Sequence, residues 1–393
     1  MNSIRRNVGL LAVCQALLLT NNATLIAING LAGFALAPIV VLSTLPVTCW
    51  VLGGAIATMP ASLHMKRVGR QRGMTLGTVW GIVGALICAG AIALQSFWLL
   101  CFGTLVFGVY NAYGQYYRFA AADAANVDFR ATAISLVLAG GLIGGVLGPT
   151  TSRLTVDLFE PKFVGAYLAL IGFALLTMLL LRFIRIPTPT AAEQTASGRP
   201  LRVIAAQPKY FVAVLAGAVG YGVMNFLMTS TPIAMGISGH PYGDATFVIS
   251  SHVVAMFAPS FITGALIRRF GMLPIMFIGA VLNVGSIVIG LSGVSVIQFW
   301  ASLVLLGVGW NFLFIGATTL LTDTYRPEER AKAQGANDFA IFAMMTISSL
   351  TSGMIVTTAG WENVNYAAAP LIAVIAIAIA WLGLRQRAAR AAA

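Results

Sequence analysis

Charge is what this sequence lacks most. Only 9% of its 393 residues are Asp, Glu, Lys or Arg, against about 25% in an ordinary soluble domain. A water-facing surface cannot be built from so little, so a soluble enzyme and a disordered chain are excluded. Acid is scarcer than base, with 11 carboxylates against 23 Lys and Arg. No carboxylate falls clearly in the middle of an apolar run. Asp338 comes nearest, and its place early in such a run points to capping or ion pairing. Histidine is limited to three residues, and the four cysteines, Cys14, Cys49, Cys88 and Cys101, show no CxxC spacing. All four thiols lie in apolar runs, where free cysteine packs as a small hydrophobe; a secreted disulfide scaffold is excluded too. No nucleophile–base pair or phosphate-binding glycine loop stands out, so the chain is not expected to be an enzyme and no cofactor is expected.

What is present is apolar sequence, 59% hydrophobic with mean hydropathy +0.90. A membrane-spanning helix needs ~20 mostly apolar residues, and twelve would use about 240, leaving ~12 for each connection. Apolar runs fall near 8–33, 38–63, 73–94, 96–117, 131–154 and 162–184, then near 209–232, 244–267, 271–292, 295–321, 333–358 and 364–384. The first run passes Asn21 and Asn22 without a small-residue cleavage site, so it reads as an uncleaved span. Residues 185–208, with Pro187, Pro189, Glu193, Ser197 and Pro200, read as a flexible linker. The expected organisation is a bundle over 1–184, a linker over 185–208 and a second bundle over 209–393. With the N-terminus inside, 21 of the 23 basic residues fall on the inner side; only Arg153 and Lys162 fall outside. Short cytoplasmic loops carry the Lys/Arg excess, so both termini and the linker are expected in the cytoplasm. The net charge of +12 is spread over turns, which excludes nucleic acid as a partner and makes the lipid bilayer the surroundings.

The halves repeat at an offset of about 200. Ser62 to Gly69 (SLHMKRVG) and Gly264 to Gly271 (GALIRRFG) occupy matching turns, and Asp123 and Arg130 recur as Asp323 and Arg330. Duplicated six-helix halves are the design of many secondary transporters. Over nearly its whole length the chain resembles the major facilitator superfamily, whose loop signature is a Gly-x-Leu-x-Asp-Arg-x-Gly-Arg-type run. Lys66 and Arg268 stand at the usual acidic position and Ser62 replaces the first glycine. The resemblance implies an all-α polytopic membrane protein, twelve transmembrane helices in two six-helix bundles, working by alternating access. It makes Arg67, Gly69, Asp123, Arg130, Arg269, Gly271, Asp323 and Arg330 conformational-switch residues, with Asp123/Arg130 and Asp323/Arg330 expected to pair. Gly140, Gly144, Gly148 and Pro149 resemble the superfamily's glycine-rich motif, physically a small-xxx-small packing face.

One histidine lies deep in a span. His252 is followed at i+4 by Met256, and Met224 and Met228 are also i, i+4, so each pair shares a helix face. Thioethers and imidazole suit copper and need no buried carboxylate, although methionine also fills apolar helices routinely. These paired motifs, on helices seven and eight, resemble those of the CcoA-type bacterial copper importers. That resemblance implies copper import across the inner membrane for cytochrome oxidase assembly, with Met224, Met228, His252 and Met256 as the metal path and a cytoplasmic acceptor of unknown identity. It also leads us to expect a monomer. Cys49 is a secondary thiol candidate. The alternative is a carrier for riboflavin or another small planar solute, supported by the polar-aromatic tract Tyr110, Asn111, Tyr113, Gln115, Tyr116 and Tyr117, since aromatic faces with a few polar groups suit a flat ligand.

Overall fold

The computed structural model describes residues 2–39, 42–186, 190 and 198–391, and every regular element among them is a helix. An apolar chain in hydrocarbon must satisfy its backbone internally, which a helix does within each segment. The helices are α1 (Asn2–Leu36), α2 (Leu45–Val68), α3 (Arg70–Ala93), α4 (Phe97–Gly114), α5 (Tyr117–Ala124), α6 (Arg130–Thr155) and α7 (Val164–Leu181). After them come α8 (Leu201–Ala205), α9 (Pro208–Ile237), α10 (Tyr242–Phe257), α11 (Ser260–Phe270), α12 (Met272–Leu291), α13 (Val296–Thr322) and α14 (Arg330–Ala391). Of the expected linker, 187–189 and 191–197, including Glu193 and Ser197, lie outside the described residues.

Local chemistry sets the breaks. The run expected as one span over 244–267 is bent by 40° between α10 and α11. Pro259 stands at the bend, lacking an N–H and clashing with the carbonyl four residues back. At 1.5 Å per residue, the 62 residues of α14 would extend about 93 Å, three times the hydrocarbon thickness. Gly360 divides it with φ 84° and ψ 174°. Among the described residues ten helices are long and apolar enough to cross a membrane, the bent pair makes eleven, and the division of α14 makes twelve. The start of α13 is fixed by a capping box: Gln298 N–H donates to Ser295 Oγ at 3.4 Å and Ser295 N–H to Gln298 Oε1 at 2.9 Å.

Packing divides the chain into two compact units. Unit 1 is Met1–Val127, Leu136–Ala196 and Arg330–Phe342; unit 2 is Asp128–Ser135, Ser197–Glu329 and Ala343–Ala393. Each therefore takes in the first turns of a helix whose remainder belongs to the other: the start of α14 is in unit 1 and the start of α6 in unit 2.

Inside unit 1, Gly140, Gly144 and Gly148 of α6 face Ala12, Leu19 and Ala23 of α1. A Cβ added at Gly144 would lie 2.6 Å from Leu19 Cβ. Thr24 Oγ1 donates to the Gly148 carbonyl at 3.0 Å. The glycine stripe is thus a close-packing face. The duplicated turns share one backbone geometry. Gly69 has φ 89°, ψ 160° and Gly271 has φ 89°, ψ 163°, a region essentially confined to glycine. Each glycine ends one helix and starts the next. Arg67 and Arg269 both lie exposed beside these glycines.

Candidate functional site

The first turn of α14 is held in unit 1 by a buried polar network. Arg70, at the start of α3, donates from Nε and Nη2 to Asp123 Oδ2 at 3.2 and 3.0 Å, and from Nη2 to Gln334 Oε1 at 2.5 Å. Its guanidinium lies 5.4 Å from the centre of the Tyr116 ring. Arg330 Nη1 approaches Asp123 Oδ2 at 3.1 Å, so one carboxylate serves two guanidiniums. One step deeper, Arg118 pairs with Asp338. The two side chains are 2% and 1% exposed. Gln115 Oε1 accepts from Arg118 Nη1 at 2.8 Å, and Asn337 Nδ2 donates to Asp338 Oδ1 at 2.8 Å. Ser62 Oγ donates to the Ala331 carbonyl at 2.8 Å. Charges this deep survive only when paired and hydrogen-bonded.

Unit 2 holds the start of α6 in the corresponding way, with a lighter set. Arg130 Nη1 lies 3.7 Å from Asp323 Oδ1. Ser135 Oγ donates to the Ser260 carbonyl and accepts from Gly264 N–H at 3.1 Å. Burial pushes the Asp323 carboxyl above its ordinary range, against the pull of Lys209 and Arg130. Beside it, Arg199 grips Glu329 with Nε at 2.7 Å and Nη2 at 2.6 Å, and donates from Nη2 to the Thr324 carbonyl at 3.1 Å. The end of the linker is thereby strapped to the loop before α14.

The expected pairs Asp123/Arg130 and Asp323/Arg330 are not formed. The same four residues pair crosswise, Asp123 with Arg330 and Asp323 with Arg130. The reason is local: α5 ends at Ala124, an extended residue follows at Ala125, and a short 3-10 turn over Val127–Phe129 precedes Arg130. Asp123 and Arg130 therefore do not share a continuous helix face. In the sequence Arg70 and Arg118 are distinguishable only as two of the 21 basic residues of the inner side. Their sole signal is that each lies at the polar edge of an apolar run, and their partners are 53 and 220 residues away. Asp338 is paired, as its position suggested.

The tyrosine tract is core, not an open platform. Tyr110, Tyr116 and Tyr117 are 0–1% exposed. Tyr110 donates to Thr177 Oγ1 at 3.5 Å and Tyr116 to the Thr58 carbonyl at 3.0 Å, while Tyr113 Oη lies 3.1 Å from His64 Nδ1. Asn111 accepts from Asn22 Nδ2 at 2.9 Å. Asn311, at the repeat offset, joins Thr263, Ser260 and the Met256 carbonyl. The partly open aromatic ring lies in unit 2. Tyr221 of α9 meets Trp310 and Phe314 of α13 edge-on at 5.3 and 5.4 Å. Those two rings stack at 4.9 Å with a 13° interplanar angle. Phe257 closes the cluster. Tyr221 is half-buried and the other three are buried. The Trp310 indole N–H makes no hydrogen bond.

Met224 lies buried on α9 and Met228 half-buried one turn on. His252 and Met256 lie on the part of α10 that packs against α13 around Gly307. The Leu303 carbonyl is 2.7 Å from His252 Nδ1; an oxygen there only accepts, so Nδ1 carries the proton and Nε2, buried without a partner, is the acceptor. Among the described residues no three His, Cys, Asp or Glu side chains converge as metal ligands, so a site would rest on thioethers and this one imidazole, itself anchored to α13. Cys49 stands beside Cys101.

The Major Facilitator Superfamily model matches residues 11–283 and 239–393. The chain is 42% identical over 378 residues to "Riboflavin transporter RfnT" of Brucella anthropi, covering 95% of this chain and 94% of that one. It is 29% identical to "Uncharacterized MFS-type transporter YddS" of Bacillus subtilis over 86% of this chain and 81% of the relative. Among solved structures it resembles a Major Facilitator Superfamily transporter, FucP, in the outward conformation. That match has TM-score 0.75 and 16% identity over 95% of this chain and 98% of that one. Copper import is thereby corrected. A relative similar end to end is a riboflavin transporter, and nothing specific to copper importers accompanies the Met/His pattern. The metal-binding reading and the link to cytochrome oxidase fall with it. Methionine spaced i, i+4 is what close helix packing produces without a metal.

Proposed function

We propose, starting from the fact that the chain belongs to the major facilitator superfamily, that this multi-pass membrane transporter carries riboflavin or a closely similar planar solute into the cell. The observation that carries this reading is the 42% identity to a riboflavin transporter across 95% of the chain. The two halves, 1–184 and 209–393 with 185–208 between them, work by alternating access as a monomer in the bacterial inner membrane. Both termini are cytoplasmic, on the strength of the 21-to-2 distribution of basic residues. In that orientation the Arg70–Asp123–Arg330 and Arg118–Asp338 set lies toward the cytoplasmic ends of its helices, and so does Arg130–Asp323. Cooperative opening and reclosing of these pairs is the switch. For the cargo, half-buried Tyr221 is the accessible ring of that aromatic cluster, a surface suited to a flat heterocycle.

The test is uptake of radiolabelled riboflavin in a riboflavin-auxotrophic bacterium expressing the chain, with radiocopper uptake measured in parallel. Saturable riboflavin uptake, competed by unlabelled riboflavin and absent from the empty strain, is the expected result. Copper accumulation without riboflavin uptake at matched membrane abundance would overturn the reading. Alkylation of a cysteine placed in the linker, by an impermeant reagent applied to intact cells, would reverse the orientation.

A further inference from the structure

Three of the four cysteines come together in unit 1, and nothing in transport uses them. Helices α2 and α4 are packed in tight parallel register. A Cβ on Gly53 would meet Leu105 backbone atoms, with Leu105 Cα at 3.1 Å, and one on Gly108 would meet Gly54 N at 2.8 Å. At the Gly53–Leu105 contact the facing residues are 52 apart in sequence. Cys49 lies one turn before Gly53 and Cys101 one turn before Leu105, so the same register sets them opposite each other. The two thiols are close enough to influence each other electrostatically. Cys49 is partly exposed, and both stand one turn inside the first residues of their helices, Leu45 and Phe97. Cys88, on α3, faces Gly103 instead and is fully buried. Cys14 lies on α1, buried.

We propose that Cys49 and Cys101 are a redox-responsive pair that closes to a disulfide, stapling α2 to α4 at the end remote from Gly69. A disulfide needs Cα atoms ~4.4–6.8 Å apart, a spacing that glycine-mediated approach of two helices supplies. The chemistry is thiol–disulfide exchange with a low-molecular-weight disulfide. The Cys49 thiolate attacks one sulfur of the small disulfide and expels a thiolate, leaving a mixed disulfide on Cys49. The Cys101 thiolate then attacks the Cys49 sulfur and expels the second small thiolate. The two protons lost by the cysteines end on the two released thiols, and the pair's two electrons have reduced the small disulfide. In the orientation proposed above, this end of α2 and α4 faces the periplasm, the compartment in which disulfides persist; that clause alone rests on the proposed orientation.

Full-length protein in membrane vesicles is treated with oxidised glutathione, its remaining thiols are alkylated in denaturant, and its peptides are mapped without reductant. The expected result is a fall from four alkylatable thiols to two, with a linked Cys49–Cys101 peptide. C88S leaves the linkage intact, whereas C101S stops at a glutathione adduct on Cys49. Size-exclusion elution confirms that each variant is folded. Four alkylatable thiols after treatment of folded protein in detergent, or a Cys88–Cys101 linkage in place of the expected one, would overturn the proposal. Linkage that forms in inverted vesicles and not in right-side-out ones would refute the orientation and leave the pair standing. Riboflavin plays no part in the readout, so failure of the cargo reading leaves this result unaffected.

Discussion

Asp338→Asn isolates the deepest charge in unit 1. The substitution keeps the side chain's shape and removes its charge, leaving the Arg118 guanidinium 2% exposed with Gln115 as the remaining acceptor seen at its Nη1. Breaking a buried pair from one side costs ~3–5 kcal/mol, because the surviving charge stays desolvated. At ~2.1 cal/mol/K per residue, a chain of this length unfolding as one body loses about 1.2 °C of Tm per kcal/mol. The expected fall is therefore about 4–6 °C, and Arg118→Gln should give a similar one. The double variant Arg118→Met/Asp338→Leu removes both charges and is expected to recover most of that loss, since apolar replacements of a buried pair are often neutral. Thermal unfolding in detergent, followed by size-exclusion fluorescence, measures stability, and riboflavin uptake at matched abundance measures function. If the pair is part of the switch, the double variant regains Tm but not uptake. Single variants within 1 °C of the parent, or a double variant whose loss equals the sum of the singles, would refute the argument from desolvation.

Three further outcomes follow from the same geometry. Gly69→Ala and Gly271→Ala place a Cβ in backbone that glycine alone tolerates and should each cost ~1–3 kcal/mol, read as a Tm drop; parental Tm values would show that the turns relax. Asp323→Asn should leave stability unchanged or slightly raised at neutral pH. Its folded-state acidity is weakened by burial, so whatever stability it contributes is present below its unfolded pKa and is lost as pH rises through the higher folded one; a Tm loss of several degrees at pH 7 would reverse that sign. Met224→Leu and Met256→Leu conserve volume and apolarity, so riboflavin uptake should stay near the parental level with less than ~1.5 kcal/mol lost, whereas Tyr221→Ala should raise KM; the opposite pattern would move the cargo contact from the aromatic cluster to the thioethers.

Most of the fold was legible because a bilayer enforces a simple code. Apolar runs and basic turns mark the spans, and the break expected between 358 and 364 appears at Gly360. The bend at Pro259 was missed because hydropathy does not register a lost backbone donor. The site was harder for a different reason. A duplicated sequence contains each charged motif twice, and spacing alone cannot distinguish an acid paired with its own copy's base from one paired with the other copy's. Here the exchange of the first turns of α6 and α14 decides it, sending Arg330 to Asp123 and Arg130 to Asp323.

The Met/His motif misled through chemistry shared by two functions. Soft ligands and good packing residues are the same side chains, and in a sequence with 14 methionines an i, i+4 pair is weak evidence of either. His252 does not break the tie, because Nδ1 is committed to the Leu303 carbonyl and that bond serves helix packing as well as it would fix a ligand's tautomer. The charge networks give a firmer warrant. A buried Arg–Asp pair is a poor way to gain stability, so Arg118 and Asp338 among the buried apolar side chains of unit 1 call for another reason. A pair that is costly when broken singly and holds the first turns of a helix whose remainder lies in the other unit supplies one. Under the switch proposed above, opening becomes cooperative, as a transporter needs if its two sides are never to open together.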